Sequence, residues 1–104
     1  MKVELLWWAG CPSYPETLDD LKRVLAEEGV EAEVEMLEVE SDEQAQAQRF
    51  PGSPTIRLDG VDALPPAGEP EPFSLTCRVY RLRDGRISAT PDPEDLREAV
   101  RRVK

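Results

Sequence analysis

From Val3 to Trp8 the chain is apolar at every position except Glu4, and the run then breaks at Gly10-Cys11-Pro12 into a helix start. A strand that is apolar on both faces must be covered on both, so it belongs inside an α/β sheet. The break places a thiol, Cys11, between the end of that strand and the start of a helix. Unpaired backbone N–H groups and the positive end of the helix dipole favour thiolate over thiol at such a junction. With two cysteines and no histidine, most of the chemistry open to this chain depends on that sulfur.

A chain of 104 residues has room for one core, so residues 1–104 are expected to form a single domain. Hydrophobic content of 39% beside 34% charged residues is the balance of a folded globule rather than a disordered chain. No apolar run approaches the roughly 20 residues of a membrane span. Met1-Lys2-Val3-Glu4 lacks the layout of a signal peptide, so a cytoplasmic protein without a membrane partner is expected. A net charge of −9 argues against a nucleic-acid binder, which needs a basic stripe. Only Arg97, Arg101, Arg102 and Lys104 cluster, where they would complement a helix C-terminal dipole. The lack of histidine excludes imidazole-based triads, and no structural zinc, other resident metal or cofactor is expected.

After the first strand, Ser13-Tyr14-Pro15-Glu16 reads as a capping box. Tyr14, Leu18, Leu21, Val24 and Leu25 then form an apolar helical stripe that Gly29 stops. Val30 to Glu38 alternates Val30, Ala32, Val34 and Met36 against glutamates, as a half-exposed edge strand does, with a bulge or end at Met36-Leu37. Ser41-Asp42-Glu43-Gln44 is a second capping box, opening a short helix that runs to about Arg49. Thr55 to Leu58 reads as a strand, Asp59-Gly60 as a hairpin turn and Val61 to Leu64 as a returning strand. Pro65, Pro66, Pro70, Pro72 and Gly68 make Leu64 to Phe73 a loop. Leu75 to Arg81 is apolar enough for another strand, which Asp84-Gly85 turns back towards Ile87, and either it or Val61–Leu64 completes the sheet. Thr90-Pro91-Asp92-Pro93 caps a last helix with the stripe Leu96, Ala99, Val100 and Val103. The order βαβαββα predicts an α/β fold with a mixed sheet of about four strands and helices on both faces.

Two motifs in this order resemble the thioredoxin/glutaredoxin superfamily, over nearly the whole chain. Trp7-Trp8-Ala9-Gly10-Cys11-Pro12-Ser13-Tyr14 resembles its redox loop but ends in Cys-x-x-Tyr. Phe50-Pro51-Gly52-Ser53-Pro54-Thr55-Ile56 resembles its segment in which a cis-proline precedes the third core strand. Together with Thr76-Cys77-Arg78-Val79-Tyr80, they also resemble small bacterial thioredoxin-fold proteins, some labelled alkylmercury lyase-like. The resemblance implies a thioredoxin-like fold in which Pro54 is cis and faces Cys11, with Thr55 placing backbone for substrate.

The leading expectation is a thiol–disulfide redox role with Cys11 as the nucleophilic thiolate and a small thiol, a protein thiol or a disulfide as partner. Tyr14 stands where a resolving cysteine would be, which leaves a monothiol cycle open. Cys77, 66 positions on, has three roles open: resolving partner, second ligand of a soft-metal thiolate pair, or core packing. Trp7 and Trp8 are expected to project to opposite sides of the strand, either one into the core and one beside the Cys11 groove, or both into the core. Trp8, Pro12, Ser13, Tyr14, Ser53, Pro54 and Thr55 are the residues expected to bind substrate or shape the site. Soft-metal or organomercurial binding by Cys11 and Cys77, and a redox-inert binding module, dimeric in one form, are the alternatives.

Overall fold

A computed structural model describes residues 1–65 and 73–104. They form β1 (Val3–Trp7), α1 (Tyr14–Glu27), β2 (Val34–Glu38), α2 (Asp42–Ala47), β3 (Thr55–Leu58), β4 (Val61–Asp62), β5 (Tyr80–Arg81), β6 (Ile87–Ser88) and α3 (Pro93–Val103). The apolar run of β1 lies inside a four-stranded sheet of order β2-β1-β3-β4. It pairs parallel with β2, from Val3↔Val34 to Trp7↔Glu38, and antiparallel with β3, from Val3↔Leu58 to Leu6↔Thr55. Asp59 and Gly60, at φ +52° and +84°, make the tight turn that returns β3 into β4.

Alternation along β1 sends neighbouring leucines to opposite faces. Val3 and Leu5 join Ile56 and Leu58 beneath Leu21, Val24 and Leu25 of α1 and Leu96, Ala99 and Val100 of α3. Leu6 packs on the other face with Val39, Phe50 and Ala45 of α2. Full burial of each such leucine contributes about 1.5–3 kcal/mol. The expected α/β sandwich of helices on both faces of a mixed four-stranded sheet is present, with an added hairpin. Among the described residues no helix is long and apolar enough to cross a membrane.

Several local expectations are corrected. The Ser13 hydroxyl makes no capping bond, because Ser13 has helical backbone (φ −82°, ψ −10°) where a cap needs an extended one. Pro15 also removes one of the two amides that such a cap would satisfy. Ser41 has the extended backbone (φ −145°, ψ 160°), and its hydroxyl accepts the Gln44 N–H at 3.1 Å. The Gln44 side chain reaches back to the Glu40 amide at 2.6 Å. That helix stops at Ala47, short of Arg49, which turns left-handed at φ +50°. β2 begins at Val34 rather than Val30 and runs unbroken through Met36-Leu37, since parallel pairing with β1 starts only at Val3. It is an edge strand, as its glutamates predict, with Met36 exposed and Leu37 turned to the Phe50 cluster.

The stretch from Leu75 to Arg81 does not complete the sheet, which ends at β4. Only Tyr80–Arg81 is strand, paired with Ile87–Ser88 in a separate hairpin. Among the described residues the stretch before it makes one isolated bridge, Cys77 to Ser53, with Arg78 and Tyr80 buried and Cys77, Val79 and Arg81 exposed. The expected loop from Leu64 to Phe73 lies largely outside the described residues.

α1 ends in a Schellman arrangement, with Val30 N–H on the Leu25 carbonyl (2.9 Å) and Gly29 N–H on that of Ala26 (3.1 Å). The C-terminal basic cluster does more than balance its own helix. Arg101 Nε lies 2.7 Å and Lys104 Nζ 3.4 Å from the Glu28 carboxylate, and Arg97 reaches both Glu27 and Glu28. These contacts join the ends of α1 and α3, and they hold the Glu28 carboxyl below its ordinary pKa, the Arg101 hydrogen bond contributing most.

Candidate functional site: the Cys11–Cys77 pair

At the carboxyl end of β1 the chain turns sharply, the Cys11 amide donating to the Trp8 carbonyl at 3.0 Å. A Cβ at Gly10 would sit 2.4 Å from the Trp8 ring, so position 10 has no room for a side chain while that ring lies over the turn. Trp8 itself packs on the Phe50 cluster, and the Trp7 ring stacks on Tyr14 at 4.3 Å. The two tryptophans therefore do take opposite sides. The Trp7 Nε1–H is buried with no hydrogen-bond partner among the described residues. Pro12 is exposed, and Ser13 and Tyr14 are half-buried at the start of α1.

Cys11 is 1% exposed and is bonded to Cys77 in a disulfide with the Cα atoms 5.7 Å apart. That separation lies in the ordinary range for the bond. Of the roles open to Cys77, core packing is excluded, because Cys77 is exposed and bonded to Cys11.

Ser53 brings the pieces together. Its amide donates to the Thr76 carbonyl and its carbonyl accepts the Arg78 amide, each at 2.9 Å, which makes Cys77 its bridge partner. Its hydroxyl accepts the Trp8 N–H at 3.0 Å. One buried serine thus ties the end of β1, the approach to β3 and the Cys77 segment. The Ser53–Pro54 peptide is cis, as the resemblance implies. Thr55 is buried, its hydroxyl donating to the Gly52 carbonyl at 2.6 Å. Gly52, at φ +135°, has the Arg78 backbone against it, and a Cβ there would come within 2.9 Å of the Arg78 Cβ.

Behind the disulfide lies a polar cluster that the motifs do not mark. Arg78 is 7% exposed, with its guanidinium 2.9 Å from the Asp62 carboxylate and 3.3 Å from the Thr55 hydroxyl. It also donates to the Leu64 carbonyl and lies over the Tyr80 ring at 4.7 Å. The Tyr80 hydroxyl donates to the Pro54 carbonyl, and burial pushes its pKa up, against the opposing charge of Arg78. The sequence carries no direct signal for Asp62, Arg78 and Tyr80: only burial shows that Arg78 and Tyr80 are the inward positions of Cys77-Arg78-Val79-Tyr80-Arg81.

The site therefore consists of a buried cysteine at a strand–helix junction, joined to an exposed cysteine residue on a segment fixed by backbone and charge-assisted hydrogen bonds. A disulfide so placed opens by attack of a thiolate on one sulfur, with the other leaving as thiolate. No family model, no curated protein and no solved structure matches the chain.

Proposed function

We propose that this is a thioredoxin-like thiol–disulfide exchange protein whose redox pair is Cys11 and Cys77. The observation that carries the reading is the Cys11–Cys77 bond, formed across 66 residues beside the Ser53–Pro54 peptide. Parallel β1 and β2 beside antiparallel β3 and β4, with a cysteine ahead of α1 and a cis-proline ahead of β3, support the thioredoxin-like part of it. Tyr14 leaves the Cys-Pro-Ser-Tyr loop without a second thiol, and Cys77 supplies that thiol from another segment. The monothiol cycle is thereby replaced by a dithiol one. In the reductive direction two thiols give up two electrons and two protons, the protein disulfide becomes two thiols, and the two donors leave joined as a disulfide.

The test is equilibration in glutathione buffers of graded ratio, followed by alkylation and peptide mapping. One reversible two-electron transition that releases both Cys11 and Cys77 is expected. A bond that stays closed across the series, or an end state with glutathione left on Cys11, overturns the proposal.

The same proximity supports a second reading, in which the reduced sulfurs form a two-thiolate site for a soft ion such as Cu(I) or an organomercurial. It predicts one Cu(I) per chain, with affinity lost in both Cys11→Ser and Cys77→Ser. Binding retained in both variants excludes it.

A further inference from the structure

We infer that Cys77 is the sulfur an incoming thiol attacks, and that Cys11 is the sulfur that leaves; this rests on the pair being an exchangeable disulfide. Taken alone, the strand–Cys–helix junction assigns the first contact with substrate to Cys11. The packing assigns it to the other cysteine.

Displacement at sulfur is in-line, so the nucleophile approaches opposite the leaving sulfur. Attack on Cys11 needs an open path on the protein side of a residue that is 1% exposed. Attack on Cys77 needs one on the outer side of an exposed residue. The outward setting of Cys77 belongs to its segment: Val79, two positions on, is 68% exposed, whereas Arg78 and Tyr80 point inward.

The steps balance. A thiolate RS⁻ attacks Cys77 Sγ, an R–S–Sγ bond forms, the Cys11–Cys77 bond breaks and its electron pair stays on Cys11. A second RS⁻ then attacks the R-bearing sulfur, releases RSSR and leaves Cys77 as thiolate. Solvent protonates the two sulfurs to the extent their pKa values set. In the oxidative direction Cys77 attacks the substrate disulfide and Cys11 resolves the mixed disulfide. Between the steps, the Ser53 backbone bonds and the Arg78–Asp62 pair hold Cys77 beside Cys11.

Two measurements test the assignment. Oxidised wild-type protein is mixed briefly with reduced glutathione, quenched in acid, alkylated and mapped. Glutathione on the Cys77 peptide, with Cys11 alkylated, is expected, and glutathione on Cys11 overturns the assignment while leaving the exchange reading intact. A bond that does not open at all under native conditions overturns both. Separately, the reduced Cys11→Ser and Cys77→Ser variants are reacted with glutathione disulfide. Mixed-disulfide formation is expected to be about tenfold faster or more in Cys11→Ser, where the cysteine at the exposed position remains. Equal rates, or the reverse order, contradict the inference.

Discussion

The sheet face beneath α1 and α3 and the seam that carries the two sulfurs are held by different physics. In the first, Leu5, Ile56, Leu21, Val24, Leu96 and Val100 are buried against one another. Their cohesion is area removed from water, which has no direction. In the second, two-residue strands and a single bridge leave little ladder, and Ser53, Thr55, Asp62, Arg78 and Tyr80 do the holding. A disulfide needs its Cα atoms within a narrow window, and directional bonds set a position in a way that packing alone does not. Apolar contact secures the fold here, and buried polar contact locates the chemistry.

The largest expected effect is on the seam's covalent bond. In the chain-entropy model, closing a loop between residues separated by 66 positions is worth about 4 kcal/mol, so the reduced protein should unfold at correspondingly lower urea. Coincident urea midpoints for the two forms would remove the disulfide from the account of stability. Next, Leu21→Ala should cost about 3 kcal/mol in denaturant unfolding while leaving the glutathione equilibrium of the folded protein unchanged. Arg78→Met should cost less, about 2 kcal/mol, because it strands the Asp62 carboxylate and the Leu64 carbonyl. It should nevertheless shift that equilibrium towards the dithiol, since Cys77 is then held less firmly at Cys11. If Leu21→Ala moves the equilibrium and Arg78→Met does not, the division between the two regions is wrong.

The smallest effect belongs to the ionic clasp between α1 and α3. Glu28 is held below its ordinary 4.5, so its folded form binds protons less readily than its unfolded form. Its contribution is therefore present above 4.5 and is lost as pH falls through the lowered folded value. Melting temperatures measured against pH should show wild type losing stability in that acidic window, with Glu28→Gln losing less. Parallel curves would mean that the clasp contributes nothing measurable, as many exposed ion pairs do.

These contrasts also account for what the chain makes legible. The centre of the sheet can be read directly, because a doubly apolar run leaves β1 nowhere else to go. Asp59-Gly60 marks the β3–β4 turn because two successive left-handed residues are needed there. The two Ser-x-x-Glu/Gln signals look alike, yet only Ser41 caps through its side chain, since the motif does not specify backbone angles. The Cys11–Cys77 pairing is not legible, because one isolated bridge between Ser53 and Cys77 has no period to read. The Asp62–Arg78–Tyr80 cluster is hidden for a related reason: hydropathy makes Leu75–Arg81 look like an ordinary strand, and only the burial pattern shows that its polar residues point in.

The claim that the disulfide is an exchangeable couple and not only a structural staple is tested most directly by its opening under native conditions. The oxidised protein is mixed with dithiothreitol at several concentrations, and bond opening is followed by quenched alkylation beside far-ultraviolet circular dichroism. The account predicts an opening rate proportional to thiol concentration, with opening ahead of any loss of the native dichroism signal. A rate that levels off at the speed of global unfolding, whatever the thiol concentration, would contradict it.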